Sequence, residues 1–346
     1  MNKIIEEDIH NILKTSIKWE LFRGSTVLIS GASGCLPGYL VETLLKLDAQ
    51  GFNIKVLALV RNRGKARARF KNYLNNKNLF FINQDVTLPV KYHGKIDYII
   101  HAASQASPKY YQVDPVGTLT SNTMGTYQLL QLAVAKKVKV FLFFSSGEVY
   151  GREDQKRTKE TDYGYLDPLD VRSCYAESKR AGETMCISFL AQYKVPVKII
   201  RPFHTFGPGI GLNDGRVFAD FIANIIRNEN IVMKSDGLSE RSFCYLADAT
   251  VAFFLVLLEG KIGEAYNVGR EKPISIIELA KLVVGLFPEK GLKVISRKRV
   301  ESDRYIESRF LHIAPDISKI KMLGWQPKYS ISEAFKRTIL SFGEQK

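Results

Sequence analysis

Tyr175 and Lys179 stand four residues apart, and a helix over that stretch sets both side chains on one face. A phenol beside an ammonium makes a proton acceptor, because the cation pulls the phenol below its ordinary pKa of roughly 10. Upstream, an apolar run ends in Ser145-Ser146-Gly147-Glu148-Val149-Tyr150-Gly151, which supplies a hydroxyl at Ser146 and a carboxylate at Glu148. Ser146, Tyr175 and Lys179 together can strip a proton from an alcohol while its carbon gives up a hydride, and that chemistry needs a hydride acceptor. A Tyr-x-x-x-Lys spacing alone occurs by chance on many helices. It gains meaning here by following both the serine strand end and a glycine-rich turn.

That turn is Gly31-Ala32-Ser33-Gly34-Cys35-Leu36-Pro37-Gly38, placed after the first apolar run. Glycines let a backbone turn tightly and approach a pyrophosphate, whose charge is met by the amides at a helix N-terminus. The spacing departs from the dinucleotide fingerprint: Pro37 takes the place of a third glycine, and Gly38 follows one residue later. Proline is tolerated in a first helical turn, where its missing N–H has no partner to lose. At the end of the second strand, where a carboxylate would hold the ribose hydroxyls, the chain carries Arg61, which suits a 2′-phosphate. Asp85 is the expected adenine contact. The cofactor expected is NAD or NADP, with Arg61 favouring NADP.

These residues need a scaffold, and the chain supplies a regular one. Thr26 to Ser30, Lys55 to Val60, Leu79 to Asn83, Tyr98 to His101, Val140 to Ser145 and Val197 to Arg201 read as strands. Between them, Tyr39 to Leu47, Asn122 to Ala135 and Tyr175 to Tyr193 read as helices. Alternating apolar strands and helices imply an α/β fold, a doubly wound parallel sheet covered on both faces, with a smaller α/β lobe after about Pro202. The expected organisation is an N-terminal helical extension over 1–23, a dinucleotide-binding Rossmann domain over 24–202, and a substrate lobe over 203–346. The last sheet strands, within about 243–270, interleave the two. Residues 1 to 22 read as one amphipathic helix on the spacing of Ile5, Ile9, Ile12, Leu13 and Ile17. The helices Asn122 to Ala135 and Tyr175 to Tyr193 carry apolar residues on more than one face, Leu129, Leu130, Leu132, Met185 and Phe189 among them, which predicts burial beyond the sheet.

A chain of 346 residues with 45% hydrophobic content can bury a large core. The formal charge of +15 suits a protein that handles phosphorylated small molecules; its densest cluster, Arg61, Arg63, Lys65, Arg67 and Arg69, follows a strand, and no nucleic-acid motif accompanies it. No apolar run reaches membrane-spanning length, and Glu6, Glu7 and Asp8 occupy the place of a signal-peptide core. Cys35, Cys174, Cys186 and Cys244 form no CxxC pair and the histidines no ligand-spaced cluster, so reduced thiols, a cytoplasmic setting and no metal site are expected.

The chain resembles the NAD-dependent epimerase/dehydratase family of extended short-chain dehydrogenases/reductases, and within it the UDP-glucuronate decarboxylase (UDP-xylose synthase) branch. The resemblance runs from about Ser25 to Pro327. It is carried by His101 through Pro108, Asn122 through Thr126, Ser146 through Gly151, Cys174 through Lys179, Thr205 through Pro208, Leu212 through Val217, Arg241 through Tyr245, Tyr266 through Gly269 and Leu323 through Pro327. By that resemblance Tyr175 is the base, Lys179 its electrostatic partner, Ser146 the hydroxyl donor and Glu148 a carboxylate acting near sugar C5. The resemblance implies that Gly31, Ser33, Gly34, Cys35, Leu36, Arg61, Asp85, Val86, Ala102, Ala103, Ser104, Asn122, Ser145, Tyr175, Lys179 and Pro202 meet the cofactor. Ser107, Gly147, Glu148, His204, Arg216 and Arg241 would meet a nucleotide-diphosphate sugar. A homodimer joined through a four-helix bundle is also implied. Two departures stand out: His204 replaces an asparagine, and Gly147 separates Ser146 from Glu148.

Oxidation at sugar C4 opens several reactions, and the residues beside the base divide them. A 4,6-dehydratase needs an acid for the departing C6 hydroxyl, and Gly147 stands where that acid would be. A 4-epimerase has no obvious use for Glu148. A decarboxylase needs no leaving-group acid, because a C4 ketone turns a C6 carboxylate into a β-keto acid. Decarboxylation is therefore the favoured expectation, with 4-epimerase, 4,6-dehydratase and 4-keto reductase as enzymatic alternatives and a dinucleotide-binding regulator or scaffold as the non-enzymatic one.

Overall fold

A computed structural model describes residues 2–151, 157–233, 235–297 and 312–343. Six strands and six helices open the chain in order: α1 (Lys3–Leu13), β1 (Thr26–Ser30), α2 (Cys35–Leu47), β2 (Lys55–Val60), α3 (Arg63–Arg69), β3 (Leu79–Asn83), β4 (Tyr98–His101), α4 (Pro108–Val113), α5 (Pro115–Lys136), β5 (Val140–Phe144), α6 (Ser173–Tyr193) and β6 (Val197–Pro202). A seventh strand, Ala265–Val268, returns from the C-terminal part to pair in parallel with β6. The sheet order is Ala265–Val268, β6, β5, β4, β1, β2, β3, parallel throughout. This is the doubly wound Rossmann-type sheet.

Alternation along β1 divides the core. Val27 and Ile29 pack with α2 and the helix Leu246–Glu259, while Leu28 joins Leu57, Ile99 and Phe141 against Leu129 and Leu130 of α5. Successive strand residues point to opposite faces, so one pentapeptide holds both layers to the sheet. Leu129, Leu130, Leu132 and Phe189 are thus buried within a single chain, and Met185 packs against them, which corrects their expected place in a two-fold bundle. The apolar residues that α5 and α6 leave exposed are others: Val116, Leu119, Met124, Tyr127, Ile187 and Tyr193.

The helix expected over 1 to 22 is two pieces, α1 and a 3₁₀ turn at Trp19–Phe22. Thr15 Oγ1 donates to the Ile12 carbonyl near the end of α1, and Trp19 and Phe22 then pack edge-on against Phe254. Tertiary packing of two aromatic rings overrides the helical period. α1 is docked by Ile4, Ile9 and Ile12, and by Asp8, which is fully buried. One Asp8 oxygen accepts from Tyr245 (2.6 Å) and Tyr39 (3.0 Å), the other from Arg337 of the helix Ile331–Gly343 (2.8 Å). Three distant parts of the chain meet on one carboxylate.

Candidate active site

Gly31 follows β1 with φ of +67°, and a Cβ there would lie 2.8 Å from the Ala103 Cα, so only glycine fits. α2 starts at Cys35, earlier than the expected Tyr39, with Gly34 as a cap that has no side chain to offer. Pro37 therefore lies in the first turn, where its missing N–H removes no helical bond, and the amides of Cys35 and Leu36 are left for an anion. Gly38 has a different task from the one expected of it. A Cβ at Gly38 would fall 2.0 Å from the Arg69 guanidinium carbon, and Arg69 donates to the Cys35 carbonyl (3.4 Å) while facing Glu42 (3.8 Å). The displaced glycine seats Arg69, the last residue of the basic cluster that begins at Arg61.

Behind this turn, Ser30 Oγ accepts the amides of Ala102 and Ala103 (3.1 Å each) and meets His101 Nδ1 at 2.8 Å. His101 Nε2 lies 3.0 Å from Thr126 Oγ1; burial first, and then the Lys179 charge, push the imidazole down to about 3, so it is neutral. The strap braces Ala102, Ala103 and Ser104 as one wall of a cleft of about 2580 Å³, which Ser33, Leu36, Val86 and Pro202 also line. Ser104 Oγ is buried without a partner among the described residues. Asn122 does not reach this wall: it is fully buried and donates to Ser178 Oγ (2.9 Å), so it braces α6 from behind the cofactor side. Arg61 stands 3.9 Å from Asp85 where the cleft passes the ends of β2 and β3, and Asp85 also accepts the Thr87 amide and hydroxyl. The tight Gly31 cradle, the free first-turn amides and the orphaned Ser104 hydroxyl fit a dinucleotide.

Ser146 closes β5 and accepts the Glu148 amide (3.1 Å), which caps the 3₁₀ turn Gly147–Tyr150 and fixes Glu148 at the cleft. Ser145 gives its hydroxyl to Glu183 (2.5 Å) and meets the cleft by other atoms. Glu183 in turn holds Arg201 (2.6 and 2.8 Å), and Arg201 donates to Tyr150, whose hydroxyl donates to Asn267 (2.5 Å). This network ties β5, β6, α6 and the seventh strand together behind the reacting groups.

Tyr175 is almost wholly buried and stacks on Tyr111, centroids 5.2 Å apart. Burial, then the Glu148 charge, push its phenol up to about 12, against the pull of a Ser146 hydrogen bond and Arg216. Lys179 donates to the Phe144 carbonyl (2.7 Å), and burial pushes it down to about 7. The expected lowering of the phenol by Lys179 is thus overturned in this state: an ammonium this dry is itself reluctant to hold its charge, and desolvation of the phenol dominates. Sequence reasoning also missed Arg172, which reaches within 4.0 Å of Glu148 and stands three residues before Tyr175 on the rim of α6.

Across the cleft, Arg216 is held by Asp214 (2.5 and 3.0 Å), and Arg241 donates to the Glu240 carbonyl (2.7 Å). Ser107 spends its hydroxyl on the Asp214 carbonyl, and Lys109 donates to the Asn213 carbonyl (2.6 Å), so α4 latches the loop that carries Arg216. His204 lines the cleft; burial, then Arg241 and Arg216, push it down to about 3, so it is a neutral imidazole, with Nδ1 unpartnered among the described residues.

The profile of the NAD dependent epimerase/dehydratase family matches residues 27–269. UDP-glucuronic acid decarboxylase 1 of Xenopus tropicalis is 32% identical over 92% of this chain and 72% of its own length, and UDP-glucuronic acid decarboxylase 4 of Arabidopsis thaliana is 34% identical over 92% and 69%. A solved UDP-glucuronic acid 4-epimerase from Bacillus cereus, in complex with UDP-glucuronic acid and NAD, superposes with a TM-score of 0.77 at 22% identity, covering 93% of this chain and 100% of that one. That likeness is one of fold.

Proposed function

The chain belongs to the NAD-dependent epimerase/dehydratase family, and from that premise we propose that it is a nucleotide-sugar lyase that decarboxylates UDP-glucuronate through transient oxidation at C4. The observation that carries the choice of reaction is the seat of Gly147. A Cβ there would meet three Phe203 ring atoms at 3.0 Å, so the position is roofed by an apolar ring that would have to give way to any side chain, and the acid a dehydratase would place there is absent.

Gly31, Gly34, Cys35 and Leu36 would hold the dinucleotide pyrophosphate, Ala102 to Ser104 its nicotinamide side and Asp85 its adenine. The chemistry it supplies when bound is the removal and return of a hydride at C4. Tyr175 takes the C4 hydroxyl proton, and Ser146 donates to the same oxygen. Once C4 is a ketone, the C5–C6 bond breaks, carbon dioxide leaves, and the electron pair moves to the C4 oxygen as an enolate that Ser146 and Tyr175 stabilise. Glu148 governs the proton that C5 then takes up. Arg216 and Arg241 meet the diphosphate, and His204 lines the sugar pocket. In this reading residues 24–202 serve the dinucleotide and 203–346 mainly the nucleotide sugar.

Arg61 favours NADP within an NAD-dependent family. The exposed faces of α5 and α6 pair two copies across a two-fold axis. The four cysteines are free thiols, which suits a reducing, cytoplasmic setting, and no described helix is long and apolar enough to cross a membrane. The test is incubation with UDP-glucuronate and with neutral UDP- and dTDP-hexoses, followed by mass spectrometry. Loss of carbon dioxide from UDP-glucuronate is expected; loss of water from a neutral hexose, with UDP-glucuronate inert, would reject the reading.

A further inference from the structure

The glycine-rich turn departs from the dinucleotide fingerprint at Pro37 and Gly38, and the structure ties that departure to one side chain. Arg69, at the end of α3, crosses to the first turn of α2, where any side chain at Gly38 would collide with its guanidinium. It donates to the Cys35 carbonyl at 3.4 Å and faces Glu42 at 3.8 Å, too far for a hydrogen bond. Its side chain is 13% exposed, and its Nε is buried without a partner among the described residues. Glu42 Oε2 is unpartnered too, so the carboxylate orients the guanidinium without filling it. Arg216, by contrast, spends two donors on Asp214, at 2.5 and 3.0 Å.

A guanidinium carries five N–H donors in a planar fork that matches phosphate oxygens, and burying such donors unused is costly. Among the described residues this fork makes one long hydrogen bond. It lines the cleft together with Gly31, Gly34, Cys35 and Leu36, the turn whose amides are left for an anion. Those amides are neutral dipoles, and a pyrophosphate carries a charge on each phosphate, so a cation beside them answers what the turn alone does not. We propose that Arg69 is a pyrophosphate-binding residue: seated on Gly38, it turns its unused donors to the dinucleotide phosphates at the start of α2. The assignment rests on the dinucleotide reading of this turn.

Two other anions come to the same cleft, and the contacts of Arg69 separate it from both. A 2′-phosphate belongs at the end of β2, where Arg61 stands beside Asp85, whereas Arg69 sits at the other end of α3 and touches α2. The substrate diphosphate belongs with Arg216 and Arg241. Arg69 approaches that side only at Gly209, where a Cβ would lie 3.4 Å from its Nη1, and its hydrogen bond keeps it on the cofactor helix. The seat also accounts for the displaced glycine. Proline is tolerated at position 37 in the first turn, and the residue without a side chain is needed one place later, where the guanidinium lies.

The test is calorimetric binding of NAD, NADP, ADP-ribose and adenosine to cofactor-free protein. Arg69→Met should weaken NAD, NADP and ADP-ribose by a common factor of at least about tenfold and leave adenosine affinity in place, since one charge-assisted contact to phosphate is lost. Gly38→Ala keeps both charges but displaces the guanidinium, so it should cost the same factor. Combined with Arg69→Met it should add nothing, because both remove one contact. Retained adenosine binding shows that a variant is folded, and Arg69→Met with Glu42→Gln carries the test if an unpaired Glu42 unfolds the single variant. If the unaltered protein binds no dinucleotide, the reading of the turn fails and takes this assignment with it. If NAD binds and Arg69→Met lowers the melting transition without changing affinity, Arg69 is a brace between α2 and α3 and the proposal is overturned. A loss confined to NADP overturns it as well, by placing Arg69 at the 2′-phosphate.

Discussion

Two buried polar clusters in this molecule follow opposite rules. Around Asp8 the accounting is closed: Tyr39, Tyr245 and Arg337 fill both carboxylate oxygens, and burial pushes the carboxyl above its ordinary value while the three donors hold it down. Around the cleft it is open. Ser104 Oγ, His204 Nδ1, Arg69 Nε and Glu42 Oε2 are buried there without hydrogen-bond partners among the described residues, and Asn122 Oδ1 lies just behind; Trp19 Nε1 and Asp97 Oδ1, the latter beside Lys95 and Lys139, are exceptions outside it. An unpaired buried polar atom costs about 1–3 kcal/mol, so the retention of several around one cleft marks a surface completed by a ligand. The Asp8 cluster holds the N-terminal helix, α2 and the C-terminal helix together with both carboxylate oxygens filled; the unpartnered atoms of the cleft are left facing a space that a ligand can fill.

The sharpest way to break this contrast is to remove one group from each side. Tyr175→Phe should lower turnover by about 1000-fold or more, since no neighbouring residue is placed to take the C4 hydroxyl proton, while the melting transition stays close to that of the unaltered protein. Asp8→Ala should do the reverse. It takes the shared carboxylate from both phenols and leaves Arg337 with only Glu7 and the Ile4 carbonyl, and should cost about 3 kcal/mol in chemical denaturation, with turnover per folded molecule unchanged. Tyr175→Phe unfolding the protein, or a stable Asp8→Ala that is inactive, would show that the two clusters are not separable.

The same contrast explains what could be read from the residues alone. Strands announce themselves by local apolar runs, so β2, β3 and β4 stand at the expected bounds, and Gly31, Ser146, Tyr175 and Lys179, picked out by their order in sequence, line one cleft. Contacts between distant segments leave no local trace. Arg69 looked like one more surface cation because nothing near it in sequence points to Gly38. Asp8 looked like part of an acidic run. Asn122 carried a family role to a position whose amide nitrogen turns to Ser178 and which does not line the cleft. Arg172 had a weak signal, an arginine three residues before the base, but its place beside Glu148 is a tertiary contact. The Tyr175–Lys179 spacing predicted proximity correctly and its electrostatic outcome wrongly, because desolvation is set by the whole surround and not by the pair.

Lys179 sharpens the contrast through pH. Its folded value, pushed down to about 7 by burial, lies below the ordinary 10.5, so between these limits the unfolded chain binds a proton that the folded chain lacks. Stability from this group is therefore complete above about pH 10.5 and lost as pH falls through about 7. Cofactor-free protein should gain about 1–2 kcal/mol in urea unfolding between roughly pH 7.5 and 9, bounded by about 1.4 kcal/mol per pH unit. Lys198, pushed down to about 8 by burial, adds a slope of the same sign, so the diagnostic quantity is the difference from Lys179→Met, which should be shallower. Identical slopes would mean that Lys179 keeps its charge in the folded state.

The smallest effect belongs to a third kind of polar pair, neither closed nor dry. Arg61 and Asp85 stand 3.9 Å apart with side chains 64% and 39% exposed, and a pair so wet contributes about 0–1 kcal/mol to stability. Arg61→Asp should therefore leave unfolding within about 0.5 kcal/mol of the unaltered protein, with its consequence confined to the cofactor. A guanidinium there can pair with a 2′-phosphate, but Asp85 offsets part of its charge, so the expected preference for NADP over NAD is modest. Replacing Arg61 by a carboxylate adds repulsion toward the phosphate and an acceptor for free ribose hydroxyls. NADP affinity should fall about tenfold, equivalent to about 1.4 kcal/mol, while NAD affinity holds or improves. Calorimetry with both dinucleotides decides it. A strong NAD preference before substitution would mean that Arg61 faces the adenine or water rather than the 2′ position, leaving the Arg61–Asp85 pair without a part in choosing the cofactor.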